Sequence, residues 1–77
     1  MFKLCHRIIN NKHAIWAVDE SDESKNFYVS GYDTSGYGDT LEEANKDFIN
    51  KIDYIRRELE AFEKSCDMGI VEIVEVE

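Results

Sequence analysis

The sequence contains no proline. Every chain break must therefore come from Gly, Asn, Asp or Ser, each of which marks a turn by its own chemistry. Cysteine is nearly absent too. Cys5 and Cys66 lie far apart, without a CxxC pair or metal-finger spacing, so two buried thiols are expected, with a disulfide between them as the alternative. No apolar run approaches the roughly 18 residues of a membrane span. Met1-Phe2-Lys3-Leu4-Cys5-His6-Arg7 lacks the apolar stretch of a signal peptide, so a cytoplasmic location is expected. Linkers, repeats and low-complexity segments are missing as well. The 77 residues read as a single domain over 1–77. A core this small is marginal alone, which favours self-association, for instance as a homodimer.

Basic residues are scarce, and their placement is uneven. Lys3, Arg7 and Lys12 fall in residues 1–18, which hold no acid. All 17 acids lie at or after Asp19, against six bases there, and the net charge is −8. A surface this acidic disfavours direct nucleic-acid binding, which needs a basic footprint. Its natural complement is a basic protein. The plainer reading is that acidity keeps a small protein dispersed.

What the chain does contain is a clear helix start at Gly38-Asp39-Thr40-Leu41-Glu42-Glu43-Ala44. Thr40 is suited to N-cap the helix, and Glu43 completes a capping box. Leu41, Ala44, Phe48, Ile52, Ile55, Leu59, Phe62 and Cys66 recur at steps of three and four. That stripe predicts one helix from about Leu41 to Ser65. Acid-before-base pairs Glu42–Lys46, Asp47–Lys51, Asp53–Arg57 and Glu60–Lys64 would line its outer face. Upstream, residues 3–9 and His13–Val18 read as strands joined at Asn10-Asn11-Lys12. Asp19 to Asn26 reads as an exposed acidic loop. Phe27 to Tyr32 reads as a third strand, and a short extended piece is placed near Tyr37. Residues 70–77 read as a last strand, whose acids would suit pairing with the basic first strand. The expected architecture is a two-layer α+β domain of order β-β-β-α-β, an antiparallel-rich sheet with one long helix on one face.

Candidate chemistry is thin. Carboxylate pairs such as Asp22/Glu23 and Glu42/Glu43 fall on exposed faces rather than in a cleft where acid–base work needs them. Cys5 and His6 are adjacent and point to opposite faces of a strand, which argues against a shared metal. Cys66 with His13 lacks any visible oxyanion hole, and Cys66 reads as a core thiol. Gly31, Gly36 and Gly38 match no phosphate-loop spacing and lack the lysine. No catalytic residue, metal ligand or cofactor is assigned. Trp16, Tyr28, Tyr32, Tyr37 and Tyr54 exceed what one helix-side core absorbs. Among acids they suggest a protein interface or the sheet face of a homodimer.

Taken as an ordered set, His13-Ala14-Ile15-Trp16-Ala17-Val18-Asp19-Glu20, Phe27-Tyr28-Val29-Ser30-Gly31-Tyr32-Asp33 and Ser35-Gly36-Tyr37-Gly38-Asp39-Thr40-Leu41-Glu42-Glu43-Ala44 resemble the HicB-like antitoxin domain. The likeness covers roughly residues 13–63. It implies a partial ribonuclease-H-like β-β-β-α-β layer and a non-enzymatic module that binds and blocks a small basic RNA-cleaving toxin. Many members add a C-terminal DNA-binding segment. This sequence shows none after its last strand, so operator binding is not expected. On this reading Asp19, Glu20, Asp22 and Glu23 steer the partner, and Tyr32 and Tyr37 touch it. The alternative is an acidic inhibitor of a nucleic-acid enzyme, of the kind phages and mobile elements encode, whose carboxylates imitate phosphates.

Overall fold

A computed structural model describes residues 1–69 and 72–75. Four strands precede one helix: β1 (Phe2–Ile9), β2 (Lys12–Asp19), β3 (Asp22–Asn26), β4 (Ser35–Gly38) and α1 (Leu41–Asp67). The expected α+β class holds, with an antiparallel sheet carrying a single long helix.

The β1–β2 hairpin turns through Asn10 and Asn11, at φ 50° and 65°. Asparagine tolerates this left-handed pair, whose twist matches that of the flanking strands. The pairing is regular along all eight residues, from Phe2 opposite Asp19 to Ile9 opposite Lys12. The other flank of β2 is shared end to end. β4 takes His13 to Trp16, and β3 takes Val18 and Asp19 with a register shift between them.

Two strand expectations are corrected. The acidic stretch read as a loop carries β3, because an exposed strand can satisfy its backbone through the ladder without burying side chains. Phe27 to Tyr32, read as a strand, forms none: only Phe27 reaches β2, its amide donating to the Ala17 carbonyl at 2.8 Å between the stretches taken by β3 and β4. The short extended piece at Tyr37 is β4. The expected final strand falls partly outside the described residues, and 72–75 form no strand. The order along the described residues is therefore β-β-β-β-α. Within them β1 pairs only with β2.

The helix packs on β4 and β2 and stands off β1. Its core is Ile15 and Ala17 of β2 against Ala44 and Phe48, flanked by Phe27 and Ile52. Close approach is possible because β4 presents glycine here. A Cβ on Gly36 would lie 2.5 Å from the Phe48 amide nitrogen and would also strike the Ala44 carbonyl oxygen. Only part of the sequence stripe is buried: Ala44, Phe48 and Ile55. Leu41, Leu59, Phe62 and Cys66 are exposed, the last three because α1 continues past the sheet. Cys5 is half-buried, so neither cysteine is the core thiol expected.

Thr40 caps α1 as the sequence indicates. Its hydroxyl oxygen accepts the Glu43 amide at 3.1 Å, and the Glu43 carboxylate accepts the Asp39 amide at 3.1 Å. Thr40→Ala is expected to cost about 1 kcal/mol. Thermal unfolding followed by circular dichroism should show a fall of about 4–8 °C. An unchanged midpoint would mean that the Thr40 side chain does not support the helix start.

Candidate functional site

The predicted partner-binding residues fall into two groups. Asp19, Glu20, Asp22 and Glu23 surround the β2–β3 turn. Here the chain reverses over Glu20 and Ser21, and two aspartates build the turn. Asp19 accepts the Ser21 amide at 2.8 Å and its hydroxyl at 2.6 Å. Asp22 accepts the Ser24 amide at 3.0 Å and its hydroxyl at 2.6 Å. The Glu20 amide donates to the Met1 carbonyl at 3.0 Å, tying the turn to the start of β1. Glu23 reaches back to Lys3 on β1 at 2.6 Å.

Each bond to a side-chain carboxylate favours its ionised form. The Ser21 and Ser24 hydroxyls, then their amides, hold Asp19 and Asp22 below the usual carboxyl range, and Lys3 does the same for Glu23. The turn is thus a compact anionic knuckle. Its aspartates are partly committed to folding it.

Tyr32 and Tyr37 belong to a different place, the junction of β4 with the middle of α1. Tyr32 meets Tyr54 edge-on, with ring centroids 6.3 Å apart. Tyr37 lies under the Lys51 ammonium, 4.8 Å from the ring centroid. Lys51 therefore organises this group, a role that sequence reading did not give it. Its Nζ donates to Asp33 at 2.8 Å and to the Ser35 carbonyl at 2.8 Å, and lies 3.0 Å from Asp47. Asp47 also accepts the Tyr37 amide at 2.9 Å, pinning β4 to α1. A shallow cavity of about 390 Å³ opens between Tyr32, Tyr54, Lys51 and Ile55. Asp47–Lys51 was visible as an i,i+4 pair. Its inward turn was not, because Asp33 lies far away in sequence.

Burial works against the Lys51 charge, but Asp33 and Asp47 outweigh it and hold the ammonium above its ordinary range. In return Lys51, followed by the Ser35 amide, lowers Asp33. The Tyr37 amide, more than Lys51, lowers Asp47. Depressed carboxyls contribute stability above their unfolded value and lose it as pH falls through the folded one. Stability should therefore drop below about pH 4. Lys51→Met should flatten the Asp33 share of that drop and leave the share held by the Tyr37 amide. Denaturant titrations across the acid range would show it, and an identical acid slope in both proteins would contradict this account.

Among the described residues no hydrogen bond or ion pair joins the knuckle to the tyrosine group. No cluster of three or more His, Cys, Asp or Glu is placed to hold a metal there. No described helix is long and apolar enough to cross a membrane. Of the four expected outer pairs, Asp53–Arg57 forms and Asp47–Lys51 forms facing β4; Arg56 bridges Asp53 and Glu60, and among the described residues Glu60–Lys64 and Glu42–Lys46 do not form.

Comparison with models of protein families, with curated proteins and with solved structures finds no match to this chain. The likeness to HicB-like domains rests on the quoted residues alone.

Proposed function

We propose that this chain is a non-enzymatic protein-binding module that sequesters a small basic protein, in the manner of a HicB-like antitoxin facing an RNA-cleaving toxin. The observation that carries the reading is the β2–β3 knuckle. Four carboxylates gather at one turn, where the Ser21 and Ser24 bonds fix Asp19 and Asp22 and Lys3 engages Glu23. A fixed anionic point of this kind accelerates encounter with a cationic surface and orients it. Tyr32 and the neighbouring cavity supply the aromatic, partly desolvated contact that interfaces use as anchors.

Phosphate mimicry is less well supported. Asp33, Asp39, Asp47, Asp53 and Glu60 are each paired with a lysine or arginine of the same chain. Pairing partly cancels the charge that a phosphate row would need to display over much of the surface, whereas in the knuckle only Glu23 is paired with a base, Lys3.

The test is to mix this protein with a basic ribonuclease encoded by a neighbouring gene and follow RNA cleavage. RNA cleavage should be blocked by the parent protein. A Glu20→Lys/Glu23→Lys variant should inhibit about tenfold less well, mainly through slower association, and added salt should weaken the parent in the same way. Cleavage unchanged by the parent protein would end the antitoxin reading.

A further inference from the structure

The chain exposes more surface than its mass warrants. Its accessible area is 6397 Å², whereas a compact monomer of 9.0 kDa exposes about 4,900 Å². Its radius of gyration is 15.9 Å, against about 11.5 Å for a compact domain of this length. The end of α1 beyond the sheet and residues 72–75 contribute to the excess of about 1,500 Å², which is about twice the roughly 800 Å² that each partner contributes to a stable interface.

Part of that excess is β1. Every residue of β1 except Cys5 is exposed, and its outer edge has no partner among the described residues. Leu4 lies opposite Ala17 of the core, so Phe2, Leu4, His6 and Ile8 share the helix side of the sheet. The helix does not cover them: Phe2, Leu4 and Ile8 are 57%, 55% and 60% exposed. Beside them an apolar groove of about 250 Å³ runs between β1 and α1, lined by Phe2, Leu4, Phe48 and Ile52. Devices that blunt a free edge are few. The strand has no proline and no acid, its helix side carries no Lys or Arg and its His6 is bonded to His13, and of its two charges on the other side Lys3 is engaged by Glu23, leaving Arg7.

We infer that the occupant of this edge is a second copy of the chain, joined through antiparallel β1–β1 pairing about a two-fold axis. Backbone geometry limits the register. Alternate residues of β1 turn their N–H and C=O towards β2, and those between turn them outward. Outward groups must meet outward groups, so each residue faces one of the same parity. That rule keeps both helices on one face and makes the Phe2-Leu4-His6-Ile8 surface continuous across the axis.

Two such registers pair seven of the eight strand residues. One sets Lys3 against the partner's Arg7 and Cys5 against the partner's Cys5, a like-charge opposition that destabilises a ladder. The other sets Leu4 against the partner's Ile8 and His6 against the partner's His6. The second is the register assigned. It forms a single sheet of eight strands, in which two helices flank a trough lined by Leu4 and Ile8 of both copies.

The dimer answers to salt oppositely from the proposed toxin contact. Two chains of −8 repel, so screening strengthens self-association, whereas it weakens binding to a cation. Sedimentation of the full chain should give about twice 9.0 kDa, with a dissociation constant that falls as salt rises. Leu4→Lys/Ile8→Lys, placed at exposed positions, should sediment as a monomer with unchanged far-ultraviolet circular dichroism. For the register, His6→Cys in a Cys5→Ser/Cys66→Ser background should form a disulfide dimer under mild oxidation. The Cys66→Ser single variant, which keeps Cys5, should not. A monomeric parent at every salt concentration overturns the proposal. In that event, hydrogen exchange separates an edge covered by the chain's own C-terminal residues, with protected outward β1 amides, from an edge left for a different protein. A Leu4→Lys/Ile8→Lys variant that remains dimeric overturns it as well, by placing the interface elsewhere.

Discussion

Gly36→Ala is expected to be the most damaging single-methyl change in this protein. The added Cβ would fall on backbone atoms, the Ala44 carbonyl oxygen and the Phe48 amide, rather than on a side chain that can rotate away. Relief requires β4 and α1 to separate. Overpacking a core costs about 1–3 kcal/mol, and a backbone obstacle puts this site at about 3 kcal/mol or above. A domain of this length has about 4–12 kcal/mol in total. The melting midpoint should therefore fall by about 12–24 °C, and Gly36→Val should leave the chain unfolded at room temperature. Gly31→Ala is the control. Gly31 has φ +88° but open space around its Cβ position, so only the backbone term of about 1–2 kcal/mol applies. If Gly36→Ala melted within about 4 °C of the parent, the close contact of β4 with α1 would be refuted.

Phe48→Ala and Phe62→Ala should differ by an order of magnitude in effect. Both belong to one stripe in the sequence. Phe48 is 8% exposed and packs against Ile15, Ala17 and Ala44, whereas Phe62 is 59% exposed on the part of α1 beyond the sheet. Truncating Phe48 removes a buried ring and leaves a cavity, at about 3–5 kcal/mol. Truncating Phe62 removes little packing and should stay within about 0.5 kcal/mol. Urea titration of the two variants reads the difference as a shift in midpoint at constant slope. Similar losses at both positions would mean that Phe62 is covered by something that the isolated chain does not show.

That pair also marks where the sequence stopped being legible. Periodicity reports that one helix face is apolar, and it placed α1 to within two residues of its end. It carries no information on how far the sheet beneath extends, so Phe48 and Phe62 looked alike. The Asn10–Asn11 hairpin and the Thr40 cap were readable because their chemistry is local. β3 and the segment at Phe27 were misjudged for a shared reason. Strand propensity measures fit to a half-buried pleated surface, and whether a backbone is paired depends on which edge is vacant. Asp22 to Asn26 found an edge despite its acids, and Phe27 to Tyr32, despite its aromatics, holds that edge only through the Phe27 amide. At the candidate site, the acidic knuckle could be read because its four carboxylates are near neighbours in sequence. The grouping of Tyr32, Tyr37 and Lys51 could not, because it depends on Asp33 meeting a lysine 18 residues away.

The end-to-end sharing of β2 has a kinetic consequence. Among the described residues, β2 is the one element in contact with all the others. The β1–β2 hairpin closes over two asparagines and can form in about 1–10 μs, before any distant segment arrives. β4 and α1 can dock only afterwards, on the flank that the hairpin has already shaped. Substitutions in β2 should accordingly slow refolding, whereas those in α1 beyond Ile55 should leave the refolding rate unchanged. Stopped-flow measurements on Ile15→Val and Leu59→Ala would show whether folding is templated in this order. If it is, β2 acts as the nucleus around which a short chain finds its one arrangement.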